Sequence, residues 1–152
     1  MEQPKYRVVR VSPLLPETKA MVSKLHDAVF PAGTWTARPR LNRYGYVWIV
    51  FDIATGEPVA FAELSPSYRW DKTGYLSRSG VLEEHRGNGL QKVLIKKRVA
   101  YAKKLGWHTV LTDTIHNNAP SINSLISCGF KSYLPLFPWG SKDIAVYWRK
   151  RL

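Results

Sequence analysis

Cysteine is all but absent from this chain of 152 residues: Cys128 stands alone. No internal disulfide can form, which suits a reducing compartment. Acidic side chains are scarce as well, 11 Asp and Glu against 23 Lys and Arg, and the formal net charge is +12. No apolar run approaches the roughly 18 residues that a membrane-spanning helix needs. The N-terminal MEQPKYRVVRV lacks the apolar centre of a secretory leader. The expected location is therefore cytoplasmic, with no membrane attachment. His26, His85, His108 and His116 have no paired spacing and there is no Cys/His cluster, so no metal is expected. A Ser-His-Asp hydrolase would need a nucleophile elbow, and none is present.

What remains describes a folded protein with an anionic partner. A hydrophobic fraction of 45% argues against a disordered chain, and the length suits one domain, residues 1–152. Six Trp and eight Tyr exceed the needs of a minimal core, so some are candidates for a site. The charge excess concentrates anions and speeds their arrival. Nucleic acid, a phosphorylated small molecule and a nucleotide cofactor all fit. Lys92, Lys96, Lys97, Arg98, Lys103 and Lys104 crowd one segment, for which a merely solvated basic face is the alternative.

KYRVVRVSP alternates apolar and basic residues and ends at Pro13, which predicts a strand. PETKAMVSKLHDAVF sets Met21, Val22, Leu25 and Val29 at helical spacing. PAGTWTARPRLNRYG reads as irregular, with room for one helical turn. YVWIVFDIATGEPVAFAELS predicts a hairpin turning at ATGE, and GYLSRSGVL a further strand. LQKVLIKKRVAYAKKLG predicts a long helix closed by Gly106, with Leu90, Val93, Leu94, Tyr101 and Leu105 on its core face. WHTVLTDT is a short strand, and APSINSLISCG a helix from near Pro120 to Gly129. FKSYLPLFPWGSKDIAVYWRKRL adds two strands around a Pro-rich loop. This order predicts a mixed α/β domain with helices packed on a central sheet.

The segment EEHRGNGLQKVLIKKR stands out. RGNGL follows a strand and opens a basic helix, where backbone amides lack intrahelical partners and the macrodipole is positive. Gly87 and Gly89 remove side chains that would block close approach, and Arg86 adds a guanidinium suited to phosphate oxygens. Either this is a plain turn or its amides hold an anion.

Strand, RGNGL and basic helix together resemble the acyl-coenzyme A loop of the GNAT family of N-acetyltransferases, Gln/Arg-x-x-Gly-x-Gly/Ala. Arg86 takes the first position and Gly89 the fourth; Gln91 departs from the small residue usual at the sixth. HNNAPSINSLISCGF is similar to the family's closing element, with Asn118 at the Asn position and Gly129-Phe130 as the Gly-Phe pair. The resemblance runs through most of residues 46 to 149. It implies an α/β fold with a mixed, mostly antiparallel central sheet and helices on both faces. It also implies an enzyme that moves an acetyl group from acetyl-CoA to a primary amine by direct attack.

On that resemblance the pyrophosphate would meet the amides of Arg86, Gly87, Asn88, Gly89 and Leu90, with Gln91 beside them. The pantetheine arm would pair with backbone near Ser79 and Val81. Asn118 would anchor the arm, helped by Ser121. The chemistry needs a base for the ammonium proton and an acid for the thiolate. Tyr75 and Ser77, at the family's usual positions, are poor bases, so Glu63 is the candidate; pairing with Arg78 or another cation is its structural alternative. The family's tyrosine is here Leu125, and Tyr133 is the candidate acid. Trp35, Phe137 and Trp139 fall in segments that flank the acceptor site in this family, and Arg38, Arg40 and Arg43 lie near Trp35. The acceptor stays open, an anionic molecule or an amine carried on nucleic acid being compatible with the charge. A nucleic-acid-binding module without catalysis and a coenzyme A-binding pseudo-enzyme are the competing readings. Monomer and homodimer are both compatible with the sequence.

Overall fold

The computed structural model describes residues 3–30, 41–141 and 143–152. The described strands are β1 (Tyr6–Val11), β2 (Tyr46–Asp52), β3 (Pro58–Pro66), β4 (Thr73–Val81), β5 (Thr109–Ile115), β6 (Lys131–Tyr133) and β7 (Ala145–Arg151). The helices are α1 (Pro16–Val29), α2 (Leu90–Lys104) and α3 (Ala119–Ser127), with a 3₁₀ turn at Glu83–His85. The strands form one seven-stranded sheet in the order β1-β2-β3-β4-β5-β7-β6. It is mostly antiparallel, and β4 with β5 is a parallel pair. Every predicted element of the described residues is present.

The chain divides into two compact units, residues 1–65 with 77–90, and residues 66–76 with 91–152. In the first, α1 lays Val22 and Leu25 against Val47 and Ile49 of β2 and Phe61 of β3. Each such burial contributes about 1.5–3 kcal/mol. The β2–β3 turn closes on Gly56, whose φ of 73° favours glycine, with the Gly56 amide donating to the Asp52 carbonyl.

In the second unit, α2 ends as its sequence predicts. Gly106 adopts a φ of 80°, its amide donates to the Lys103 carbonyl, and the Trp107 amide donates to that of Ala102. This is a Schellman closure. The predicted core face needs correction: Val93 and Leu105 are each 36% exposed, whereas Ile95, Arg98 and Ala102 are buried. Leu94, Arg98 and Ala102 follow one another at intervals of four and so share a face. Arg98, grouped by sequence with the surface lysines, is 2% exposed, and its Nε donates to the Leu94 carbonyl at 3.1 Å.

Candidate active site

The loop between β4 and α2 is held by its own polar groups. The His85 amide donates to the Leu82 carbonyl and the Arg86 amide to that of Glu83. Arg86 Nε reaches back to the Val81 carbonyl at 3.3 Å. Asn88 Nδ2 donates to the carbonyls of His85 (2.9 Å) and Arg86 (3.3 Å), so this side chain staples the loop and leaves its backbone amide for other work. His85 has its Nδ1 2.9 Å from the Tyr6 hydroxyl of β1. Gly87 and Gly89 have φ of 77° and 72°, a region that side chains disfavour. A Cβ at either would meet no atom within 4 Å. The loop thus presents a bare, open backbone surface, the form an oxyanion cradle requires. Leu90 is buried and Gln91 half-buried where α2 begins.

Ahead of the loop, β4 carries the two backbone candidates, Ser79 half-buried and Val81 buried. Between them Gly80 packs so closely that a Cβ would lie 3.0 Å from both Phe61 Cε1 and Val29 Cγ1. The parallel register of β4 with β5 runs only from Thr73↔Thr109 to Tyr75↔Leu111, although β4 continues to Val81.

Glu63 is buried on β3, 5% exposed. Its Oε1 accepts from the Ser77 hydroxyl at 2.7 Å and its Oε2 from the Asn42 amide at 2.8 Å. Ser77 Oγ in turn lies 3.0 Å from Ser65 Oγ. The alternative of an Arg78 ion pair is not what forms: Arg78 Nη1 sits 3.3 Å from His26 Nε2. Glu63 is therefore a carboxylate met by a hydroxyl on the neighbouring strand, able to pass a proton through it.

In the second unit, Asn118 caps α3, its Oδ1 accepting from the Ser121 amide at 3.4 Å. The two predicted coenzyme ligands are thus brought together, but as a helix cap. On β5, Asp113 Oδ1 accepts from the Tyr75 hydroxyl and, at 3.0 Å, from Trp139 Nε1. The Trp139 ring is edge-to-face with Tyr147 at 4.6 Å and with Tyr75 at 6.2 Å.

A family model for the GNAT acetyltransferases matches residues 17–130. The chain belongs to the GNAT family. Three solved structures show the same fold. A candidate acyl-CoA N-acyltransferase from Klebsiella pneumoniae is 19% identical with a TM-score of 0.75, the match covering 97% of each chain. The ribosomal-protein-S18-alanine N-acetyltransferase of Escherichia coli is 17% identical with a TM-score of 0.72, over 95% of this chain and 94% of that one. A candidate acetyltransferase from Salmonella typhimurium, solved with its cofactor acetyl-CoA, is 17% identical with a TM-score of 0.73, over 97% and 94%. No curated protein sequence matches the chain.

Within the GNAT frame, Leu125 is buried in α3. Tyr133, its candidate substitute, lies on β6 opposite Tyr147, with the Arg149 guanidinium 4.6 Å from its ring centroid. Burial raises the phenol pKa above its usual value, Arg149 opposes the rise, and Tyr147 adds to it. A phenol is protonated near neutral pH with or without this shift, and the raised pKa makes Tyr133 a weaker acid, while its ring contact is the packing role that competes with catalysis. Phe137 is exposed and Trp139 half-buried. Trp35, Arg38 and Arg40 lie outside the described residues, while Arg43 is exposed over the Tyr44 ring. Asp113 was missed from sequence. Strand alternation puts it on one face, but its partners come from β4 and the loop before β7, which local pattern does not reveal. Among the described residues no group of three His, Cys, Asp or Glu is placed to hold a metal, and no helix is long and apolar enough to cross a membrane.

Proposed function

We propose that this GNAT-family protein is an N-acetyltransferase that moves the acetyl group of acetyl-CoA to a primary amine by direct attack within a ternary complex. The observation that carries the reading is the loop Arg86–Leu90: two glycines in left-handed conformation, open on the side a Cβ would fill, leading into a helix without an acidic residue. The amides of Gly87, Asn88, Gly89 and Leu90 would hold the pyrophosphate; the Arg86 amide is already given to the Glu83 carbonyl, so Arg86 would contribute its guanidinium, with Gln91 flanking. Backbone groups at Ser79 and Val81, on the stretch of β4 beyond its register with β5, would hold the pantetheine arm. Asn118 and Ser121 would anchor the arm from the start of α3.

Acetyl-CoA supplies the activated acetyl group as a thioester. The chain's task is to orient the amine, take its proton and return one to the sulfur. Glu63, through the Ser77 hydroxyl that donates to it, would accept the proton. Tyr133, the candidate acid, would donate one. The test is thiol release from acetyl-CoA across a panel of amines, run beside the thermal shift that acetyl-CoA produces. Amine-dependent release supports the reading; no thermal shift and no release would overturn it.

A second reading is favoured by α2, whose exposed residues include Lys92, Lys96, Lys97, Lys103 and Lys104. Such a face suits nucleic acid, either as the carrier of the amine or as the ligand of a module without catalysis. Binding of that kind weakens steeply with salt. A coenzyme A-binding pseudo-enzyme, consistent with Leu125, would show the thermal shift without any release.

A further inference from the structure

Among the described residues no cation pairs with the Asp113 carboxylate, in a protein that carries +12. Its Oδ1 takes the Tyr75 hydroxyl and the Trp139 indole. The nearby Arg69 is engaged otherwise, donating to the Phe137 carbonyl at 2.8 Å and resting 5.9 Å from the Trp70 ring centroid. Among the described residues Oδ2 receives no donor, and it is not among their sealed, unpartnered polar atoms. Asp113 as a whole is half-buried.

The surroundings are aromatic. Trp139 meets Tyr75, Tyr147 and Trp70 edge-to-face, at centroid distances of 6.2, 4.6 and 6.2 Å. Gly140 stands where any side chain would intrude: a Cβ there would lie 3.7 Å from Asp113 Oδ2, 3.2 Å from the Tyr147 hydroxyl and 2.9 Å from Ala145 Cβ. The Tyr147 hydroxyl accepts from the Gly140 amide at 2.8 Å, which fixes that backbone in place. A carboxylate oxygen among aromatic rings attracts an organic cation twice, by charge and through the ring quadrupoles. An unpaired carboxylate is costly where it is partly removed from water, so an arriving cation relieves that cost. The same segment exposes Leu136 (86%) and Phe137 (65%), an apolar rim for a hydrocarbon attached to the cation.

We infer that Asp113, with Tyr75, Trp139 and Tyr147, is a recognition site for an organic ammonium borne on an apolar chain, and that the acceptor amine is bound there as a cation. The inference rests on the acetyltransferase reading for the word acceptor; the binding site itself does not. Asp113 is here a positioning residue, and no proton transfer is assigned to it.

The test is calorimetric titration of the full chain, without acetyl-CoA, by phenethylammonium, by its neutral isostere phenethyl alcohol, and by 3-phenylpropionate. The wild type should bind the ammonium at least about tenfold more tightly than the alcohol, and the carboxylate more weakly still. Asp113→Asn keeps an oxygen for Tyr75 and Trp139 but removes the charge, and should bring ammonium and alcohol within about twofold. A melting curve and circular dichroism spectrum of Asp113→Asn matching those of the wild type guard against misfolding of the variant. Absence of ammonium binding in the wild type, equal affinity for the alcohol, or a preference unchanged in Asp113→Asn would overturn the inference. An acetyl-CoA thermal shift on the same protein separates the two ideas. Cation selectivity without that shift leaves this site standing and removes the acetyltransferase reading; the shift without selectivity does the reverse.

Discussion

Gly89 allows backbone strain and ligand binding to be measured apart. Its φ of 72° is left-handed, and a Cβ built on it meets nothing within 4 Å. Gly89→Ala should therefore cost only the conformational penalty, about 1–2 kcal/mol. For a chain of 152 residues that lowers Tm by roughly 2–8 °C. Gly89→Glu carries the same backbone penalty, and its charge beside the positive end of α2 offsets about 0.3–1 kcal/mol of it. Without ligand the glutamate variant should thus melt at or slightly above the alanine variant. With acetyl-CoA at about a hundredfold its Kd, binding stabilises the wild type by about 2.7 kcal/mol, or roughly 5–11 °C. Gly89→Ala should keep only part of that rise, because its methyl enters the open space through which the pyrophosphate would approach. Gly89→Glu should lose it, since a carboxylate would face the pyrophosphate. Differential scanning fluorimetry at low and moderate salt measures all of this. Equal acetyl-CoA shifts in the two variants would refute the cradle, and a ligand-free loss far above 8 °C in Gly89→Ala would refute the open surface.

Glu63→Gln puts an amide opposite two donors, the Ser77 hydroxyl and the Asn42 amide, so one donor loses its acceptor; stability should fall by about 1–3 kcal/mol in denaturant titration. Turnover should fall by about 10²–10⁴ if the carboxylate is the base, with the acetyl-CoA thermal shift intact, and unchanged turnover would remove Glu63 from the chemistry. Tyr133 titrates above its usual value when folded, so its share of stability is complete below about pH 10 and disappears as pH rises through the folded pKa. Unfolding free energies between about pH 9 and 11 should therefore fall more steeply for wild type than for Tyr133→Phe. Asn118→Ala should cost about 1 kcal/mol through loss of the α3 cap, read as a Tm lower by roughly 2–4 °C. A smaller acetyl-CoA shift on top of that loss would assign Asn118 to the coenzyme; an unchanged shift would leave it as a cap.

Features set by neighbours in the chain were legible without a structure. Strand alternation, the glycine closing α2, the turn at Gly56 and the strand-loop-helix around Arg86–Leu90 each need only a few consecutive residues. Features set by partners far along the chain were not. Apolar spacing selected Val93 and Leu105 for the core of α2, because an arginine does not register as a core residue even when, like Arg98, it lies in line with Leu94 and Ala102. Glu63 was found as a strand carboxylate, but its Asn42 and Ser77 donors, from a turn and from β4, came only with the fold. Asp113 was passed over because nothing within WHTVLTDT distinguishes it from a solvated strand residue. Its meaning comes from Trp139, 26 residues later, and Tyr75, 38 residues earlier.

Net charge and local charge then give different instructions about the acceptor. The excess of 23 bases over 11 acids acts at long range and is screened by salt over about 10 Å, so it governs which molecules arrive. Asp113 acts within a few ångströms, among rings that exclude part of the water, so it governs which group is held. A free monoamine would be repelled by the first and attracted by the second. A molecule with an anionic body and one ammonium on an apolar arm satisfies both, whether the anion is a phosphate, a carboxylate or a polymer. This division predicts how kinetics should respond to salt. For such an acceptor, raising the ionic strength should lower kcat/KM through slower encounter. For a simple monoamine the same change should raise it, as the repulsive field is screened. Asp113→Asn should lower kcat/KM for both at every salt concentration while leaving the sign of each salt slope unchanged. Slopes of the same sign for the two acceptors would mean that the global charge does not reach the amine site, and the acceptor would then be chosen by Asp113 and its aromatic ring of neighbours alone.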